Sequence, residues 1–295
     1  MCFTGNINWS ATCIYVRLFE QALLAEFVGT FFLSMTVTMV SSGDVNTPYI
    51  GPGFILAAMV YALDHKSGAH FNPGITVGVV VCSFSKTSVI QGIMYIFVQT
   101  LGGVCGALAG SAIIGDAPHL PTGNDAPAGD TGSAFLVEFL FAFALVLVML
   151  NTAVEKNAAE PNAYFGMSIG FVILAGGSIA GQISGGVFNA AVGTGLDVVR
   201  VIRGGSSHYL WIYWVATLVA GLLAGLVKSY VNSSRHFSGS NVSIFGLPIV
   251  VLIIEFIGKG LSWVYLVVVW SSLILSSVLL CRYFFFGFRS LHPNS

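Results

Sequence analysis

Ser67-Gly68-Ala69-His70-Phe71-Asn72-Pro73-Gly74 and Ser184-Gly185-Gly186-Val187-Phe188-Asn189-Ala190-Ala191 decide the architecture, because each opens an apolar stretch too short to cross a membrane. Those stretches run over about 72–83 and 189–199, whereas a helical crossing of the hydrocarbon layer needs roughly 20 residues. A half-length apolar segment, begun by an asparagine and set among longer ones, reads as a re-entrant half-helix. The second asparagine follows the first by 117 residues. An internal repeat is the first expectation.

Working outward strengthens it. Ala25-Glu26-Phe27-Val28-Gly29-Thr30-Phe31-Phe32 precedes the first motif and Val137-Glu138-Phe139-Leu140-Phe141-Ala142-Phe143 the second, with the two glutamates 112 residues apart. Long apolar segments cover about 21–41, 88–113, 134–154, 163–180 and 208–231. A shorter one, about 50–64, is compatible with a crossing if protein shields its ends. The sum is six crossings and two half-helices, three crossings per repeat. An odd number turns the second copy upside down, and inverted repeats place a transport site near the bilayer midplane. Gly102, Gly106 and Gly110, Gly166 with Gly170, and Gly221 with Gly225 recur at the four-residue spacing that lets helix backbones approach closely in lipid.

Composition sets the solvent. Of 295 residues 56% are hydrophobic and 8% charged, and mean hydropathy is +0.87. A soluble domain carries about 25% charged residues, so the chain is read as an all-α, multi-pass integral membrane protein whose surroundings are the lipid bilayer. A net charge of −1 gives no electrostatic case for a nucleic-acid partner. The five cysteines are scattered without metal-ligand spacing. No nucleophile constellation or phosphate-cradling loop stands out, so neither an enzyme, a cofactor nor a bound metal is expected. Met1 to Glu20 lacks the charged start and small-residue cleavage site of a signal peptide. With a cytoplasmic N-terminus, Arg17, Lys66, Lys86, Lys156, Lys228, Arg235, Arg282 and Arg289 fall inside and Arg200, Arg203 and Lys259 outside. That asymmetry favours cytoplasmic termini, in the plasma membrane or an internal one.

The order of glutamate helix, Ser-Gly-Ala-His-Phe-Asn-Pro, second glutamate helix and Ser-Gly-x-x-x-Asn resembles the aquaporin, or major intrinsic protein, family over residues 20–232. The resemblance implies repeats at about 20–115 and 133–232, following a cytoplasmic N-terminus at 1–19. It implies that the half-helices meet at their asparagines and that Asn72 and Asn189 each aim an amide N–H at a passing oxygen. Each helix N-terminus carries about half a positive charge, so two facing ends form a barrier to cations. Capping is the plainer role for either asparagine, and the two roles are compatible. A carboxylate inside an apolar helix is costly. By resemblance Glu26 and Glu138 brace the re-entrant loops, and His70 is a loop-anchoring or gating residue. A homotetramer, one pore per subunit, is the family habit.

The chain departs from the family pattern in places. Asn72-Pro73-Gly74 stands for Asn-Pro-Ala, and Asn189-Ala190-Ala191 lacks the proline that pre-sets a helical start. Its loss is expected to loosen that half-helix without abolishing it. Val192 occupies the place of the usual filter arginine. The other filter positions fall on Gly177, Gly186 and either Pro52 or Phe54. Such a filter is expected to be wide and apolar unless Phe54 closes it. Gly193 stands where glycerol-type members carry aspartate, whereas Tyr213-Trp214 resembles the water-type pattern. The expected function is passive passage of water or of small uncharged solutes such as glycerol, urea, ammonia or hydrogen peroxide. A proton-coupled transporter using Glu26 and Glu138, or a non-conducting scaffold subunit, are the alternatives. Residues 243–288 form a further apolar segment, open to reading as a hairpin, an interfacial anchor or an artefact of sequence assembly.

Overall fold

A computed structural model describes residues 9–41, 49–82, 87–118, 131–154, 163–205, 207 and 209–233. The apolar segment at 243–288 lies outside the described residues. Eight α-helices are seen among them: α1 (Trp9–Ser41), α2 (Ile50–Ser67), α3 (Pro73–Val81), α4 (Val89–Ile114), α5 (Thr131–Met149), α6 (Phe165–Ser184), α7 (Ala190–Ile202) and α8 (Leu210–Ser233). A single π-turn, Leu150–Val154, ends α5. Five of the helices (α1, α4, α6, α8, and α5 with its π-turn) contain stretches long and apolar enough to cross a membrane. The 18-residue α2 ends in Asp64, His65 and Lys66 and is not among the five. With 9 and 13 residues, α3 and α7 are too short to span.

Local sequence sets where the elements stop. α2, α4 and α6 each end on a glycine in the left-handed region, Gly68, Gly115 and Gly185, whose N–H caps the carbonyl four residues back. Ser88 opens α4 by accepting the Gln91 N–H at 3.2 Å.

Helices pack where glycines remove the Cβ. On α4, a side chain at Gly102, Gly106 or Gly110 would collide with the carbonyl oxygens of Phe27, Phe31 and Met35 in turn, so α1 and α4 run parallel in close contact. Gly53 and Gly170 meet backbone to backbone, and Gly166 meets Ala57 and Tyr61. That ordering makes α2 and α6 antiparallel, and their C-termini lie at opposite ends of the bundle. The loops that follow them therefore enter from opposite ends.

The half-helices interlock the repeats. α3, from the first repeat, packs on α8 of the second: Gly74 and Gly78 face Thr217 and Gly221, and Gly225 faces Gly78. α7, from the second, packs on α4 of the first: Gly103 faces Ala191, and Gly195 faces Gly103. Each half-helix is seated by the other repeat, so neither repeat closes its own core.

Candidate functional site

At the centre of the bundle two helix N-termini face each other. Asn72 and Asn189 cap them with nearly identical backbones, φ −154° and −152°. The Asn72 Oδ1 accepts the Gly74 N–H at 2.9 Å. The Asn189 Oδ1 accepts those of Ala191 at 3.0 Å and Val192 at 3.3 Å. Without its proline the second half-helix thus begins as the first does and has a second capping bond. Each carboxamide then reaches across the repeat boundary: Asn72 Nδ2 donates to the Phe188 carbonyl and Asn189 Nδ2 to the Phe71 carbonyl, both at 2.8 Å. A carboxamide has two N–H groups, so these bonds fix each side chain while using one of them.

The loops reach this geometry through an unfavourable backbone. Ala69, Phe71 and Phe188 adopt φ of 50°, 51° and 50°, and Gly186 adopts 61°. Left-handed backbone in a residue other than glycine costs about 1–3 kcal/mol and persists only where surroundings impose it, whereas Gly186 adopts it without that cost. The glutamates impose it. Glu26, with no exposed surface, accepts the His70 N–H at 2.9 Å and the Phe71 N–H at 2.7 Å, one on each oxygen. Glu138, equally buried, accepts those of Val187 at 2.9 Å and Phe188 at 2.6 Å in the same pattern. The first turns add Ser67 Oγ, accepting from Ala69 N, and Ser184 Oγ, accepting from Gly186 N and donating to Glu138 at 2.6 Å.

Two tyrosines complete the brace. Tyr95 on α4 donates to the Ser67 carbonyl at 3.0 Å and Tyr213 on α8 to the Ser184 carbonyl at 2.7 Å. Their spacing of 118 residues nearly equals that of the asparagines, so the repeat offset was a usable signal for finding them. The first repeat carries more polar groups. Gln99 Nε2 donates to Glu26 at 2.7 Å and to Thr76 at 2.9 Å. The His70 ring lies 3.1 Å from the Thr76 hydroxyl through Nδ1 and packs edge-on against Tyr95.

The filter positions separate. Val192 is buried at the first turn of α7. Gly186 lies against Gly177, with no room for a Cβ between them. Phe54 is half exposed and lies beside Met167, Phe171 and Leu174 of α6. Pro52 is buried. The side chain that does lie against Gly177 is Tyr49, the residue preceding α2, whose ring covers both Gly177 and Gly181. Tyr49 and Phe54 are five residues apart, about 140° round a helix, so the two aromatics face different neighbours. Gly193 is closed over by the Tyr213 ring, which packs where a Cβ would stand.

Asn189→Ala should keep the pore architecture but lower stability by about 1–2 kcal/mol through the lost cap, with the bond to Phe71 lost as well. Thermal unfolding in detergent measures it, and an unchanged melting temperature contradicts the capping geometry.

Comparison with known proteins gives consistent matches. The family model of the major intrinsic proteins matches residues 15–228. Aquaporin NIP1-1 of Oryza sativa subsp. japonica is 32% identical over 216 residues, covering 70% of this chain and 72% of its own. A glycerol uptake facilitator protein-like 6 of Lactiplantibacillus plantarum is 29% identical, covering 71% and 97%. Among solved structures, the aquaglyceroporin of Plasmodium falciparum superposes with a TM-score of 0.61 at 20% identity, over 74% of this chain and 98% of that one.

Proposed function

This chain belongs to the major intrinsic protein family, and from that premise we propose that it is a passive channel for water and small uncharged solutes. The observation that carries the reading is the pair of capped helix N-termini meeting through Asn72 and Asn189. Their summed dipoles oppose a cation at the centre, while each asparagine keeps an N–H that can orient a neutral oxygen. The names of the relatives are in keeping with this reading, one an aquaporin and another a glycerol uptake facilitator protein-like 6.

Selectivity is read from what lines the outer positions. Val192, Gly186 and Gly177 offer no charge and no side-chain donor, so a neutral solute meets no competing cationic group there. Glycerol, urea, ammonia and hydrogen peroxide fit this description, with water permeability retained or reduced. Glu26 and Glu138 serve as loop braces in this reading. Each carboxylate is engaged by two backbone N–H groups, which disfavours the proton-coupled alternative. Cytoplasmic termini and a homotetramer belong to the same proposal.

Stopped-flow measurement on vesicles containing purified protein tests it. Flux of at least one neutral solute above that of empty vesicles is expected, without dependence on a pH gradient. Val192→Arg should cut solute flux about tenfold, equivalent to about 1.4 kcal/mol in barrier, and because Val192 is buried the size-exclusion profile in detergent is read alongside to separate a narrowed filter from a folding defect. No flux above empty vesicles for any solute rejects the channel reading. Unchanged solute flux in Val192→Arg rejects the filter assignment.

A further inference from the structure

We propose that Tyr49 is the side chain that sets the outer constriction of this pore, and that Gly177 and Gly181 form a slot on α6 that holds its ring against the wall of the conduit. The proposal rests on the channel reading above and names a specificity-determining residue within it.

The geometry is specific. Tyr49 immediately precedes α2, with helical backbone angles of φ −92° and ψ −8°, and the carbonyl of this residue accepts the Gly53 N–H at 3.3 Å. The position is therefore fixed by the helix it starts. From there the side chain crosses to α6. A Cβ on Gly177 would run into ring atoms of Tyr49, and a Cβ on Gly181 into its hydroxyl and the carbon bearing it. The ring thus lies along one full turn of α6, with its hydroxyl end at Gly181. The same glycines receive the re-entrant loop: Gly186 packs against the Gly177 Cα and the Gly181 N. An aromatic ring, a bare helix face and the loop that carries Asn189 therefore converge at one place, which the counted filter position Phe54 does not reach.

Gly177 and Gly186 carry no side chain where they meet, so the Tyr49 phenol is a bulky group available to narrow this region. Its hydroxyl is neutral and both donates and accepts. A constriction of that chemistry sorts solutes by width and by hydroxyl or amide content and not by charge, in keeping with the valine at position 192.

The slot makes the idea testable by opposite substitutions. Tyr49→Ala should widen the constriction, so that polyols longer than glycerol, such as xylitol, pass at least about fivefold faster than through wild type. Tyr49→Phe should keep the size cut-off and change only the ratio of glycerol to urea flux. Gly181→Ala should expel the ring from its slot and lower glycerol flux about tenfold. The double variant Tyr49→Ala, Gly181→Ala should return to the Tyr49→Ala level, which separates blockage by the ring from damage to α6. The melting temperatures of wild type, Tyr49→Ala, Gly181→Ala and the double variant form a double-mutant cycle. Gly181→Ala should destabilise the wild type more than it destabilises Tyr49→Ala. A wild-type size cut-off in Tyr49→Ala, or a Gly181→Ala defect that persists when Tyr49 is absent, overturns the proposal. A wild type that passes no solute overturns the channel reading and this proposal with it, while the melting cycle still reports whether the ring occupies the slot.

Discussion

Glu138→Ala should leave the protein unable to hold its second re-entrant loop, with a large loss of folded material and no measurable flux. The carboxylate accepts the N–H groups of Val187 and Phe188 and the hydroxyl of Ser184. Removing it leaves two backbone donors buried without partners, at about 1–3 kcal/mol each. The Ser184 hydroxyl loses less, because the Ala180 carbonyl is within 3.4 Å. Phe188 also loses the support that holds it at φ 50°, so its strain of about 1–3 kcal/mol is no longer imposed from outside. A loss of about 3 kcal/mol or more is a large part of the roughly 5–15 kcal/mol by which domains are typically stable. Glu138→Gln should be milder, since a carboxamide keeps one acceptor oxygen but faces one of the loop donors with its own NH₂. Size-exclusion profile and melting temperature in detergent report both effects. A well-folded Glu138→Ala protein would mean that the loop is held by other groups.

Gly221→Val is expected to have a comparable effect by a different route. Gly221 on α8 touches the backbone of Gly74, and Gly78 in turn touches Gly221, so the two helices meet without intervening side chains. A Cβ has no space there, and valine adds two further carbons beyond it. Overpacking a tight site costs about 1–3 kcal/mol, and this one is bounded by main chain that cannot change rotamer. The least costly relief is for α3 to move off α8. That shift draws Asn72 away from the Phe188 carbonyl, 2.8 Å distant, and opens the junction between the half-helices. Flux should fall sharply and the melting temperature with it. Leu222→Val, one residue along on a partly exposed position, serves as the control and should change little. Equal behaviour of the two variants would contradict the close crossing.

How far the primary structure carries can be judged element by element. The two Asn-led stretches, the buried glutamates and the spacing of 117 residues were all legible, because each is a costly residue in an apolar run and the cost repeats. The five long helices were legible from length and hydropathy. α2 was the marginal one, since its charged end weakens the pattern that the other five show clearly. The tyrosines were harder. Tyr95 and Tyr213 sit in helices where an aromatic is unremarkable, and only their hydrogen bonds to Ser67 and Ser184 distinguish them. Gln99 likewise gains meaning only beside Glu26 and Thr76.

Hydropathy and motif spacing were enough to identify a membrane protein with an inverted duplication and to single out the polar residues at its centre. The membrane setting follows from hydropathy, the duplication from the matching 112- and 117-residue offsets, and the central place of the asparagines from the family resemblance. The tertiary structure decided which aromatic lies against Gly177, because a rotation of about 140° between Tyr49 and Phe54 depends on where α2 begins and on what packs beside it. It also decided that each half-helix is seated by the opposite repeat, through backbone contacts that glycine permits but does not specify. A glycine records only that something comes close. Which partner comes close is a property of the folded chain.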